Sequence, residues 1–212
     1  MVKPDEGVDG AGADRLVGYF GYGSLVNRHT LRTLYVATRR ARLSGWRRHW
    51  QGRGVEIAGD VGEIALLSVH RHPAAVISGM LVVDRAAHLP EIDLRERHYD
   101  RVTLAAGELA LHEAAPAGGQ SPGQCHVYVA RPELKCGREP RLLQSYLDAV
   151  MAGFLAEYGE EGVREFVATT AGFDREAILD RHAPLYPRAV ELPPATAKRF
   201  DALLVDAGVR FG

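Results

Sequence analysis

Apolar positions change rhythm once along this chain. Up to residue 130 they come in short runs suited to strands, and after 140 they recur at helical spacing. Runs at 16–20, 64–70, 75–83, 99–104, 108–112 and 124–130 are β-rich and predict strands. An edge or barrel strand is expected over 41–50, burying Leu43, Trp46 and Trp50. His72 and Pro73 mark a turn between two of these runs. Gly79, in the middle of one, predicts a bulge or the close passage of another backbone. The stretch 84–96 predicts a short helix starting near Pro90. Residues 31–36 fit a short helix or an extended link, and 114–123, with two prolines and three glycines, read as a loop.

Beyond Pro140, Leu143, Leu147, Val150, Met151, Phe154, Leu155 and Tyr158 fall on one helical pattern that closes at Gly159. Val163, Phe166 and Val167 continue helically. Asp174 reads as the N-cap of a helix through Ala177, Ile178 and Leu179, stopped by Pro184 and Pro187. Phe200, Leu203 and Leu204 mark a last helix, after Pro193 and Pro194 and before Gly208. Strands first and helices after predict an α+β fold. Residues 1–14, acidic and glycine-rich, are expected to be a disordered leader, and 15–212 a single domain.

Composition narrows the function classes. Hydrophobic residues make up 46% of the 212 and charged ones 25%, as in soluble globular proteins, and the net charge of -1 gives no electrostatic case for nucleic acid or membrane. The basic cluster Arg39, Arg40, Arg42, Arg47, Arg48 and His49 therefore reads as a solvated strand face. Cys125 and Cys136 lack the second pair a zinc site needs. No signal peptide or membrane-length apolar run is visible, so a reducing cytoplasm with both thiols free is expected. His70 and His72 share a strand face without a third ligand at a telling distance, so no metal and no cofactor are expected.

Candidate chemistry gathers at two places. Phe20-Gly21-Tyr22-Gly23-Ser24-Leu25 follows a strand and runs into residues 27–31, which can open a helix. Such a turn leaves backbone N–H groups aimed at one point, ready for an anion. It is not a dinucleotide fingerprint, because Val26 stands where the third glycine belongs. It is not a Walker loop or a serine nucleophile elbow either, since no Gly-Lys-Ser/Thr run follows and Tyr22 and Val26 flank Ser24. The second place is Ile92-Asp93-Leu94-Arg95-Glu96-Arg97-His98-Tyr99-Asp100-Arg101, with six charges in ten residues. A run of this kind is usually a solvated face, but this one lies between two strands, so some of its side chains must approach the core.

Taken together these segments resemble the γ-glutamylcyclotransferase-like superfamily, especially its bacterial ChaC-type members. Gly21 to Leu25 is similar to that family's N-terminal Tyr-Gly-Ser-Leu loop, and residues 92–96 followed by Tyr99 to its Leu-Asp-x-Arg-Glu motif. Leu143 to Leu147 with Gly153 is similar to its Ser-Tyr-Leu helix, and Asp180 to Val190 to its C-terminal segment. The matches run in order from about Leu16 to Leu192. There are two departures: Val26-Asn27 replaces an isoleucine-tryptophan pair, and Arg97-His98 replaces glycines.

The resemblance implies a small mixed β-barrel with helices packed outside. It also implies a cyclisation in which the α-amine of a γ-glutamyl compound attacks its own γ-carbonyl, releasing 5-oxoproline and an amine or peptide. Glutathione, γ-glutamylamines and γ-glutamyl amino acids are all candidate substrates. The family's catalytic glutamate is carried onto Glu96, whose burial should raise its pKa toward neutrality for proton shuttling. The backbone amides of Tyr22, Gly23, Ser24 and Leu25 are the candidate anion cradle, with the Ser24 hydroxyl as helper. Tyr99 and Tyr128 are candidates to donate hydrogen bonds to the glutamyl group. A different class remains beside the enzyme: a non-catalytic module that senses a γ-glutamyl or acidic metabolite. Glu96 separates the two, because a sensor for an anion gains nothing from a carboxylate facing it.

Overall fold

The computed structural model describes residues 15–31, 34–56, 63–113, 121–131 and 140–212. The leader 1–14, Cys136 and most of the predicted loop at 114–123 lie outside the described residues. Among the described residues ten strands and three α-helices alternate unevenly, in a mixed α+β arrangement.

Strand β1 (Leu16–Gly21) is an unbroken apolar run because both of its faces are covered. It pairs antiparallel with β3 (Glu63–Arg85) and parallel with β6 (Gln124–Ala130), and Val17, Tyr19 and Phe20 are buried. β3 also pairs along its length with β2 (Ala37–Glu56). Outside these lie β4 (Tyr99–Thr103) against β6 and β5 (Leu109–Leu111) against β2. The described pairings run in the order β4-β6-β1-β3-β2-β5 and do not return to close a barrel; β8 (Thr170–Ala171) adds to β2.

Pro73 does not end a strand. β3 runs through it, and the turn signal at His72-Pro73 marks an irregularity instead. Pairing passes from Ser44↔Val76 to Trp46↔Arg71, which leaves 72–75 facing Gly45, where a missing amide hydrogen costs no ladder bond. Gly45, at φ 79°, inserts one residue into β2 and so reverses its side-chain phase. Before it Ala41 and Leu43 point inward; after it Trp46, Arg48 and Trp50 do.

The basic cluster is therefore not wholly a solvated face. Arg47 is exposed, but Arg48 is completely buried between the rings of Phe154 and Phe166, 5.1 Å from each centroid. It donates to Ser78 O (2.8 Å), Thr169 Oγ1 (2.6 Å) and Thr170 Oγ1 (3.2 Å). Burial lowers its pKa to about 9, against the pull of Glu165. Gly79 fulfils the other expectation for β3: a Cβ there would meet Gly21 O at 2.4 Å, so its absence lets the end of β1 cross closely.

Helix α1 (Leu89–Arg95) begins with Pro90 in its first turn, as the sequence predicts, and is pinned by fully buried Ile92. α2 (Gln144–Ala168) begins later than Pro140, because Leu142 and Leu143 form a short strand, β7 (Leu142–Leu143). Gly159 (φ 68°, ψ −166°) interrupts the helix without ending it, and helical geometry resumes to carry Val163 and Phe166 into the core. The predicted helix after Asp174 does not form. Glu176–Ile178 is strand β9, parallel to β7 and to β10 (Arg210–Phe211), with Ala177 buried between them. Three apolar residues are too few for local pattern to decide, and the distant strands supply the hydrogen bonds. α3 (Pro194–Asp206) ends before Gly208 at φ 105° and buries Phe200 and Leu204. Among the described residues no helix is long and apolar enough to cross a membrane.

Candidate active site

The end of β1 sets the site. After Gly21 the chain turns through Tyr22 and Gly23 into a single 3-10 turn, Ser24–Val26, and then a second, Arg28–Thr30, instead of the α-helix that residues 27–31 could have opened. Val26 N donates to Gly23 O and Asn27 N to Ser24 O, both at 3.0 Å, so the turn's own bonds leave out its first amides, those of Ser24 and Leu25. Thr30 Oγ1 donates to Ser24 O (2.6 Å) and Asn27 Nδ2 to Ala149 O (2.9 Å), which fixes the turn against α2. Gly153 of α2 lies so close that a Cβ there would come within 2.6 Å of Asn27 N.

Glu96 caps the C-terminus of α1. Its amide donates to Ile92 O (2.9 Å) and its carbonyl accepts from Tyr99 N (2.8 Å), so a rigid turn delivers the side chain. The charged run splits as a segment between two strands must. Leu94 and Arg97 face solvent, whereas the Glu96 side chain is 16% exposed and accepts from Arg95 Nε at 3.0 Å.

Glu96 and Ser24 line one cavity of about 190 Å³, together with Leu67, Tyr99, Tyr146 and Tyr186. A smaller adjoining recess of about 40 Å³ shares Ser24, Leu67, Glu96, Tyr99 and Tyr146 and adds Tyr22, Gly23, Leu25 and Tyr128. Each residue to which the resemblance gave a catalytic or substrate-binding role thus borders this space. Their parts differ from expectation. The Tyr22 phenol is spent on the fold, donating to Tyr128 O at 2.6 Å. The Tyr99 phenol donates to Leu67 O (3.0 Å) and the Tyr128 phenol to Asp93 Oδ1 (2.7 Å), so neither proton is free for a ligand and each oxygen offers only lone pairs. Gly23 is glycine because a Cβ would stand 2.8 Å from Tyr146 Oη and 3.0 Å from Leu67 Cδ2.

Tyr146, Tyr186, Arg95 and Arg188 were not assigned a role from sequence, although all four fall inside segments that resemble the family's motifs. A buried carboxylate staples the last of these segments: Asp180 accepts from Ser145 N (2.8 Å), Ser145 Oγ (2.5 Å) and Leu185 N (3.0 Å). Arg181 clamps Asp148 and Asp201 alongside. Tyr186 and Arg188 are thereby held over the cavity.

Electrostatically the walls are neutral phenols. Burial raises Tyr22 and Tyr99 well above the usual value, and the Glu96 charge adds to both. Tyr146 is raised by burial and by Tyr186, against a Ser24 backbone contact that lowers it. Tyr186 is raised by burial and drawn back by Arg188. One carboxylate in a partly dry, tyrosine-lined space is suited to moving a proton. Among the described residues no group of three His, Cys, Asp or Glu is arranged to hold a metal.

No protein-family model matches the sequence, and no curated protein matches it. Solved structures do match. A γ-glutamyl cyclotransferase aligns at TM-score 0.53 and 14% identity, over 89% of this chain and 99% of its own. An uncharacterized protein from Homo sapiens aligns at TM-score 0.54 and 12% identity, over 88% and 99%. At such identities the likeness is one of fold. The chain has the mixed α+β fold of γ-glutamyl cyclotransferase.

Proposed function

We propose that the protein is a γ-glutamyl cyclotransferase in which Glu96 shuttles protons. The observation that carries this reading is that Glu96 and the turn at Ser24, 72 positions apart in sequence, border the same cavity. Glu96 accepts a proton from the α-ammonium of a γ-glutamyl compound. The freed amine attacks the γ-carbonyl carbon and closes a five-membered ring, while charge on the carbonyl oxygen meets the amide of Leu25, beside that of Ser24, which already faces Tyr146. The bond to the departing nitrogen then breaks. Two protons leave the ring nitrogen in all, and both end on the amine that departs, so no water or external reagent is consumed. The tethered nucleophile supplies much of the rate, since effective molarities for oriented attack reach roughly 10⁵–10⁸ M. Tyr99 and Tyr128 act as acceptors near the ammonium instead of as donors. The loop and the motif at 92–96 keep glutathione, the ChaC-type substrate, among the candidates.

Incubation with γ-glutamyl compounds should yield 5-oxoproline. Glu96→Gln should keep the fold and lower turnover about 100-fold or more, the usual scale for a lost general acid–base group. Undiminished turnover in that variant would remove Glu96 from its role. A sensor would bind the same compounds and release nothing.

A further inference from the structure

We infer that Arg95 is a positioning residue for Glu96: it holds one carboxylate oxygen and leaves the other to take and return the proton. The inference rests on the cyclisation reading. It begins from a contact that a regular helix does not make, since neighbouring side chains on an α-helix do not face each other. Arg95 is the last residue of α1, and Glu96, at φ −93° and ψ 32°, has left helical geometry, so the turn brings the two together. Arg95 Nε then donates to Glu96 Oε1 at 3.0 Å, with side chains only 19% and 16% exposed.

The way its guanidinium is spent separates Arg95 from two other arginines of the interior. Arg48 serves Ser78, Thr169 and Thr170, and Arg181 clamps Asp148 and Asp201, so each ties distant segments together. Arg95 ties no segment to another. Its Nη1 and Nη2 are buried without a protein partner among the described residues, and its ion pair is with the next residue in the chain. Idle buried donors cost the fold free energy, so stability does not explain the placement of this side chain. Its contact with Glu96 does.

The pairing serves both halves of the shuttle. A cation on Oε1 keeps the carboxylate ionised and in one orientation, ready to accept. Oε2, with no protein partner among the described residues, is the oxygen that meets the α-ammonium. Once Oε2 is protonated, the guanidinium faces a neutral acid, and this favours passing the proton on to the departing nitrogen.

The surroundings make the effect readable against pH. The other ionisable groups bordering the two cavities are the phenols of Tyr22, Tyr99, Tyr128, Tyr146 and Tyr186 and the guanidinium of Arg188. Burial raises all five phenols, so none of these groups changes charge below about pH 9. Arg97 and His98, next along the chain, are engaged with each other and border neither cavity.

The test follows 5-oxoproline release from γ-glutamylalanine against pH in wild type, Arg95→Gln, Arg95→Lys and Arg97→Gln, the last removing an exposed charge nearby. In Arg95→Gln the acid limb of kcat/KM should move up by about one pH unit, the low end for losing an opposite charge at this distance. Its kcat should fall about tenfold, with KM changed far less. Arg95→Lys, which can still pair with Oε1, should recover most of the rate and return the limb. Arg97→Gln should leave the limb in place, and Arg95→Gln should melt with wild type. An equal loss at every pH with the limb unmoved would overturn the inference. So would the same shift in Arg97→Gln, or a lower Tm in Arg95→Gln, which would mark a role in the fold. If no 5-oxoproline forms, the cyclisation reading falls, and the pairing is read directly by carbon NMR of labelled glutamate, with Glu96 assigned through Glu96→Gln. A higher titration midpoint for that carboxyl in Arg95→Gln upholds the pairing, and coincident midpoints overturn it.

Discussion

Gly153→Ala puts the contact between α2 and the Ser24 turn to a sharp test. On helix propensity alone this change should stabilise α2 by up to about 1 kcal/mol. The packing argues the opposite. An added Cβ would sit 2.6–2.8 Å from Asn27 N, Cβ and Cα, so helix and turn must part by roughly 1 Å to reach ordinary contact. Overpacking of this kind costs about 1–3 kcal/mol, and stretching the buried bond from Asn27 Nδ2 to Ala149 O costs about 1 more. The net loss is about 1–3 kcal/mol, or roughly 3–10 °C in Tm for a chain of this size. Urea unfolding with a thermal melt measures it. Gly123→Ala, with nothing within 4 Å of the new Cβ, serves as control and should stay within about 0.5 kcal/mol. Asn27 N is bonded to Ser24 O, so kcat/KM should also fall, up to about 100-fold for a displacement near 1 Å. A Gly153→Ala protein as stable and as active as wild type would refute the close-contact argument.

Other consequences are equally measurable. Arg48→Lys keeps a charge and three donors, but a compact ammonium cannot span the separate acceptors on Ser78, Thr169 and Thr170 or lie flat between Phe154 and Phe166; a loss of about 2–4 kcal/mol in urea unfolding is expected. Asp180→Ala strands the amides of Ser145 and Leu185 and should cost about 2–3 kcal/mol, while raising KM as Tyr186 and Arg188 loosen. His49 and His70 face each other at 3.0 Å between Nδ1 atoms, and burial first, then neighbouring positive charge, lowers both below 6.5. Their neutral forms are favoured by folding, so this contribution is complete above pH 6.5 and is lost as pH falls through their lower folded values. Tm should drop between pH 7.5 and 5.5, and His49→Asn should flatten that slope.

What the sequence made legible follows from how local each signal is. Gly79, Pro90 and Gly208 act on their own backbone, and each stands where its chemistry demands. Glu96 and the Ser24 turn were legible as separate motifs; that they meet is a matter of β1 and β4 both flanking β6. β9 was missed because its strand character comes from β7 and β10, over thirty residues away on either side. Arg48 was read as exposed because the basic cluster was taken whole as a solvated face from the net charge, although Trp46 and Trp50, expected inside, share its side of the strand after Gly45. Tyr186 and Arg188 looked like part of a C-terminal pattern, but their task depends on Asp180 drawing that segment onto α2, and nothing in linear spacing conveys that.

The order in which the chain emerges during synthesis makes one feature consequential. The Ser24 turn and Glu96 are both made before residue 100, yet the groups that roof the cavity, Tyr146, Tyr186 and Arg188, arrive only in the last third. A ribosome-bound fragment ending before Asp180 would have Glu96, Tyr99 and Tyr146 in place but lack the Tyr186 and Arg188 wall of the cavity. The cavity is therefore complete only once the segment carrying Tyr186 and Arg188 has been made and has docked on α2.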